Sequence, residues 1–207
     1  MKASPSHLVG MIAIALLALT MPARAIDNAA WNFDDEDTGV VPRGFASAVG
    51  RWRVVETDRG KVLAQLARSP LSVFNVILVE NHHARDLDLS VKLRPIAGQN
   101  DQGGGLIWRA KDPKNYYVAR FNPLEDNFRV YTVVDGKRTR LQSASVSHSP
   151  DWCRLRVTMK GDHIVCYLDG AQLLDVHDAT FPAAGKIGLW SKSDAQTEFD
   201  ELELRDF

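Results

Sequence analysis

Cysteine is nearly absent from this chain, with two in 207 residues. No Cys-x-x-Cys occurs, so neither a zinc-finger spacing nor a dithiol redox motif is written here. Histidine is sparse as well. His82 and His83 are adjacent, so on a strand they point to opposite faces and do not chelate together. His148, His163 and His177 stand scattered. Excess charge of one sign is missing too, with 25 basic and 26 acidic residues. Removal of an N-terminal leader carrying Lys2 and Arg24 moves that balance further toward acid. Such a balance gives no electrostatic basis for binding nucleic acid or an anionic membrane. Beyond the N-terminus no apolar run approaches the roughly 20 residues of a membrane span, and no stretch keeps a helical period. The glycine-rich Gly98-Gln99-Asn100-Asp101-Gln102-Gly103-Gly104-Gly105 is followed by no helix, which excludes a phosphate cradle of the strand-loop-helix kind. No Ser-His-Asp order stands out.

What is present begins with a leader. Lys2 precedes the apolar run Leu8 to Leu19, and Ala23-Arg24-Ala25 supplies small residues at a cleavage site. The expectation is a signal peptide over 1–25, a short tether over 26–30 and one domain over 31–207. The mature protein is then secreted or periplasmic, with no membrane span. About 180 residues suffice for a single domain with its own core.

Alternation dominates the remainder. In Asp86-Leu87-Asp88-Leu89-Ser90-Val91-Lys92-Leu93-Arg94 the apolar side chains share one face and the charges share the other. Similar runs cover 51–56, 61–67, 74–80, 105–110, 115–121, 128–134, 152–159, 163–168, 171–176, 186–191 and 199–205. Turn residues separate them, including Asp112-Pro113, Asp135-Gly136 and Asp169-Gly170. Short strands with hairpin-length links predict an all-β, two-sheet antiparallel sandwich or barrel and exclude a parallel α/β sheet.

Three local readings follow. Cys153 and Cys166 fall on one hairpin turning at Lys160-Gly161. The expected register sets Val157 against Ile164, Leu155 against Cys166 and Cys153 against Leu168. The thiols are then diagonal, further apart than a disulfide prefers, and are expected free and buried. In the last strand Phe199 has one parity while Leu202 and Leu204 have the other, which predicts a β-bulge at Asp200-Glu201. Pairing of the terminal strands would bring Asp34 or Asp35 to Asp200. Hard oxygen ligands in that place make Ca2+ a candidate cofactor, with Asp34, Asp35 and Asp200 as its ligands.

The third reading is a binding face. Sugars dock on aromatic rings, and guanidiniums hydrogen-bond hydroxyls and carboxylates. By parity, Arg109, Tyr116, Arg120, Arg129 and Tyr131 point away from the core, since Phe121, Phe128 and Val130 need it. They are expected on one exposed, concave sheet face, with Tyr116 and Arg120 replaceable at little cost in stability. Trp31, Trp52, Trp152 and Trp190 read as core or edge anchors.

The stretches Phe33-Asp34-Asp35-Glu36-Asp37-Thr38-Gly39, "GGGLIWRAKDPKNYYVARF", the strand pair "VYTVVDGKRTRL" and the ending "GKIGLWSKSDAQTEFDELEL" resemble the concanavalin A-like, laminin-G-like jelly rolls of bacterial secreted proteins. Within them the chain is most similar to the group named after 3-keto-disaccharide hydrolases and grouped with family-16 glycoside hydrolases. The resemblance implies two stacked antiparallel sheets with a glycan in the concave face of one. Glycoside hydrolysis usually needs two carboxyls roughly 5–9.5 Å apart, and the family's catalytic strand places acids at alternate positions. Asp86/Asp88, Glu201/Glu203 and Glu198/Asp200 each give a pair, but none reproduces that pattern. The leading expectation is therefore a lectin-like, carbohydrate-binding sandwich without catalysis of its own. A hydrolase acting on a sugar or 3-keto-sugar and a laminin-G-type protein-interaction module are the alternatives.

Overall fold

The computed structural model describes Met1, residues 28–147 and residues 151–207. The expected leader with its cleavage after Ala25, and His148, lie outside the described residues. Fifteen strands succeed one another among those described: β1 (Asn28–Trp31), β2 (Phe45–Val49), β3 (Trp52–Thr57), β4 (Gly60–Gln65), β5 (Phe74–Ala84), β6 (Leu87–Ala97), β7 (Gly104–Asp112), β8 (Asn115–Asn122), β9 (Asn127–Val134), β10 (Lys137–Ser145), β11 (Cys153–Lys160), β12 (His163–Leu168), β13 (Ala171–His177), β14 (Gly185–Lys192) and β15 (Gln196–Asp206).

They form two antiparallel sheets. One runs β13-β12-β11-β6-β15-β4-β3, with β1 added against β15, and the other runs β10-β9-β8-β7-β14-β5-β2. Alternation explains the packing. Leu87, Leu89, Val91 and Leu93 of β6 are all buried in the layer between the sheets, where they meet Leu106, Trp108, Tyr117, Phe121 and Phe128 from the other sheet. Trp108 stacks on Tyr117 at 5.5 Å, and Trp52 lies 5.7 Å from Phe199. Each such large apolar side chain gains about 1.5–3 kcal/mol from burial. The hairpins β9–β10 and β12–β13 turn at Asp135-Gly136 and Asp169-Gly170. Both residues of each pair have positive φ, as a two-residue primed turn demands.

The strands that alternation passed over are β1, β2 and β10. β2 and β10 are the edges of their sheet and β1 is an outlying strand, so few of their residues are buried and little apolar pattern is needed. Residues 28–30, expected in a tether, belong to β1 because their backbone pairs with Glu203 to Arg205 of β15.

The closing strand does shift phase. Phe199, Leu202 and Leu204 are all buried, the ladder with β6 slips between Asp200 and Glu203, and Glu201 has φ 45°. On the other side of β15 the neighbour changes at the same place, from β4 up to Phe199 to β1 from Leu202. The bulge thus lets one strand serve two partners.

The β11–β12 register differs from expectation by two residues. Leu155 faces Leu168, Val157 faces Cys166 and Met159 faces Ile164, so the turn centres on Gly161-Asp162, with Gly161 at φ 62°. A slip of two preserves every side chain's face. Cys153 now lies opposite Leu93 of β6 rather than Leu168. Both thiols are free and buried.

Candidate functional site

In β8 the side chains of Tyr117, Ala119 and Phe121 enter the inter-sheet core. Tyr116 and Val118 point the other way. There they join Tyr131 and Val133 of β9, Val76 and Leu78 of β5, Ile107 and Ala110 of β7 and Trp190 of β14 in a second apolar cluster, with Phe74 against it. Register places these side chains in rows across the sheet. One row runs Val76, Trp190, Gly105, Arg120, Arg129 and Ser143, and the next includes Ile107, Val118, Tyr131 and Arg140. Gly105 has no room for a side chain, because a Cβ would stand 2.1 Å from the Ala119 carbonyl oxygen.

Tyr116, Arg120, Arg129 and Tyr131 therefore share the outer face of the seven-stranded sheet. Their exposure differs from expectation. Tyr116 is 0 %, Arg120 1 % and Tyr131 4 % accessible, and only Arg129 is half-buried. The cause is chemical, since the face carries a continuous apolar cluster rather than scattered solvated side chains. Tyr116 accepts a hydrogen bond from Trp190 Nε1 at 3.1 Å, and burial pushes its hydroxyl pKa up.

Arg109 belongs elsewhere. It sits at φ 48° where the β7–β8 ladder breaks, and its guanidinium donates to the carbonyl oxygens of Arg85 at 2.7 Å, Phe181 at 2.9 Å and Gly161 at 2.7 Å, and to Asp86 Oδ1 at 3.2 Å. It ties three segments of chain together and makes no part of the outer face. A bulge overrides the strict period of two on which the parity reading depends.

The charged end of the face is built around Arg120. Its Nη2 donates to Glu125 Oε2 at 2.8 Å, and its Nη1 lies 3.7 Å from Asp101 Oδ1. Arg129, directly across the strand pair from Arg120, donates to the same Glu125 oxygen at 2.9 Å. Asp101 also accepts from Asn122 Nδ2 at 2.9 Å and from Lys192 Nζ at 3.2 Å. Burial pushes the Asp101 carboxyl up, against the pull of Arg120 and Lys192. Burial also acts upward on Glu125, but Asn127, Arg120 and Arg129 outweigh it and hold that carboxyl down at about 2. The Arg138 guanidinium lies 4.2 Å above the Tyr131 ring, 5.4 Å from Phe74 and 5.7 Å from Trp190. Arg120 Nε and Nη1, Arg138 Nη1 and Asn127 Oδ1 are buried without a hydrogen-bond partner.

Sequence reasoning passed over Asp101, Glu125, Arg138 and Lys192, and read Trp190 as a core or edge anchor. Asp101 and Glu125 lie in loops, where no periodicity points to a face. Arg138 was legible through its pairing with Val133 across the Asp135-Gly136 turn.

Of the acids weighed as catalytic pairs, Asp88, Glu198, Glu201 and Glu203 belong to the other sheet and are spent in ion pairs, while Asp86 pairs with the buried Arg109. Asp88 holds Arg156, Glu198 holds Arg94, and Glu201 holds Lys92 and Arg154. Near the closing bulge, Asp34 and Asp200 are close enough for Asp34 to push the Asp200 carboxyl up, although burial is the larger cause. Among the described residues no group of three or more His, Cys, Asp or Glu is arranged to hold a metal ion, and Asp35 is not seen to join Asp34 and Asp200.

No family model matches the chain, and no curated protein matches it. Solved structures do. The carbohydrate-binding module CBM66 from Bacillus subtilis superposes with a TM-score of 0.68 at 22 % identity, over 79 % of this chain and 96 % of that one. The shared fold is a two-sheet antiparallel β-sandwich. The GH43 protein BlXynB from Bacillus licheniformis gives a TM-score of 0.64 at 14 % identity, over 86 % of this chain but only 39 % of that one. The exoplasmic/lumenal domain of VIP36, in a Ca2+/Man3GlcNAc-bound form, gives 0.55 at 12 %, over 79 % and 83 %. At these identities the likeness carries the fold. Among the described residues no helix is long and apolar enough to cross a membrane.

Proposed function

We propose that this protein is a glycan-binding sandwich that acts outside the cytoplasm and is non-catalytic by itself, with the outer face of the seven-stranded sheet as its site. The observation that carries the reading is Arg120. It is a fully buried guanidinium with two nitrogens that make no hydrogen bond, Nε and the Nη1 that stands 3.7 Å from Asp101, set beside Tyr131 and within one cluster with Arg138, Phe74 and Trp190. Buried donors of this kind cost free energy unless something accepts from them. Rings beside arginines suit a sugar, whose C–H faces pack on aromatics while its hydroxyls accept from guanidiniums. The fold it shares with a carbohydrate-binding module supports the same reading.

Membership of the 3-keto-disaccharide hydrolase group, with hydrolysis of a sugar, is the other reading. Asp101 and Glu125 are the carboxyls beside Arg120, and the environment pushes their pKa values apart, as an acid and base pair would require. Binding is favoured because both acids are already committed, Asp101 to Asn122 and Lys192, and Glu125 to Arg120 and Arg129. A glycan array with the purified protein tests this. Retention of a glycan class, weakened in Arg129→Ala and without release of reducing sugar, is the expected result. Release of reducing sugar from a bound glycan would make the protein a hydrolase, and retention of none would end the glycan reading.

A further inference from the structure

The charges on this face do not balance. Four cations, Arg120, Arg129, Arg138 and Lys192, share the two carboxylates Asp101 and Glu125. Arg140, opposite Tyr131 on the edge strand, adds a fifth basic side chain to the same rows. Arg120 is buried, and Arg138 is half-buried over three rings. Positive charge out of water is costly unless an anion meets it. Arg120 Nε and Nη1 and Arg138 Nη1 make no hydrogen bond, and of the three only Arg120 Nη1 has a carboxylate among the described residues within ion-pair distance, Asp101 at 3.7 Å. Neutral hydroxyls satisfy donors but leave the charge excess untouched.

We infer that the sugar bound here carries a carboxylate, which makes the ligand a uronic-acid-containing glycan with its acid group between Arg120 and Arg138 and its ring against the Tyr131, Phe74 and Trp190 cluster. This rests on the glycan-binding reading above and adds the ligand's charge. A guanidinium–carboxylate contact is charge-assisted and roughly twice as strong as a neutral hydrogen bond. The aromatic wall beside it favours an anionic sugar over a small inorganic anion. Arg129 and Glu125, partly open to solvent, mark the side from which the glycan enters.

The test is binding of the purified protein to polygalacturonate, to alginate, to fully methyl-esterified polygalacturonate and to dextran sulfate. The esterified polymer keeps the polygalacturonate backbone and removes only the charge. Two variants run in parallel, Arg138→Gln in the site and Arg205→Gln on the other sheet, with folding checked by circular dichroism. At least one uronate polymer should bind, tenfold or more tighter than the ester and tighter than dextran sulfate. Arg138→Gln should remove that preference and Arg205→Gln should keep it. Equal binding of ester and acid overturns the carboxylate while leaving glycan binding intact. Tightest binding to dextran sulfate assigns the face to sulfate instead. An equal loss in both variants reduces the effect to diffuse surface charge. No binding to any of these polymers or to the neutral members of the array brings down the glycan reading itself.

Discussion

Arg120 and Glu125 are joined by a 2.8 Å hydrogen bond from Nη2 to Oε2, and the arginine that makes it is 1 % exposed. Its Nη1 also faces the buried Asp101 carboxylate. Removing the guanidinium strands charge that has left water. Arg120→Ala is expected to lower unfolding free energy by about 3–5 kcal/mol, the usual cost of breaking a buried pair from one side. Denaturant unfolding measures it, and a loss below about 1 kcal/mol would show the site to be wetter than its burial indicates. This reverses the expectation from parity alone, in which Arg120 was replaceable.

Arg109 should behave the same way for a different reason. Three of its four acceptors are carbonyl oxygens in separate segments, Arg85, Gly161 and Phe181. Arg109→Lys keeps the charge but cannot span the same acceptors. It is expected to cost about 2–3 kcal/mol by leaving buried carbonyls unpaired, read as a lower thermal midpoint. A midpoint unchanged by the substitution would mean that water replaces the guanidinium there.

Glu125 gives the fold an acid-sensitive contact. Its carboxyl is held at about 2 against an ordinary 4.5. A lowered carboxyl pKa means that the unfolded chain binds the proton more tightly. The contribution is therefore fully present above the unfolded value and is lost as pH falls from about 4.5 toward 2. Stability measured between pH 7 and pH 2.5 should fall more steeply in the wild type than in Glu125→Gln. Parallel curves would remove Glu125 as the cause.

Asp200 runs in the opposite direction. Burial raises its pKa, and Glu201 and Asp34 add to the rise. Ionisation therefore works against the fold, and Asp200→Asn should raise the melting temperature at pH 7 with a gain that fades in acid. A calcium titration in the millimolar range accompanies this test. A calcium-dependent rise that disappears in Asp200→Asn would instead make the Asp34–Asp200 pair part of a metal site.

Cys153 and Cys166 are buried, and burial pushes both thiols far up in pKa. They should react with a thiol reagent only as fast as the protein unfolds. Intact mass should not change on reduction. A gain of two hydrogens would show a disulfide and contradict the β11–β12 register.

The period of two in the sequence determined which face each strand residue takes, because successive side chains on a strand must point to opposite sides. Phe121, Phe128 and Val130 demanded the core, and that placed Tyr116, Arg120, Arg129 and Tyr131 together on the other side without reference to any distant residue. The parity change between Phe199 and Leu202 likewise announced the bulge at Asp200-Glu201. Parity is a local property and is blind to what stands across the chain. Whether the outward face is wet or closed depended on Val76, Ile107 and Trp190, which reach it only through the order β8-β7-β14-β5. The Arg120 network depended on Asp101, Glu125 and Lys192, which come from two loops and a strand end. Arg109 escaped its parity because the β7 ladder breaks at that residue, a decision made by the carbonyls of Arg85, Gly161 and Phe181 gathering around one guanidinium.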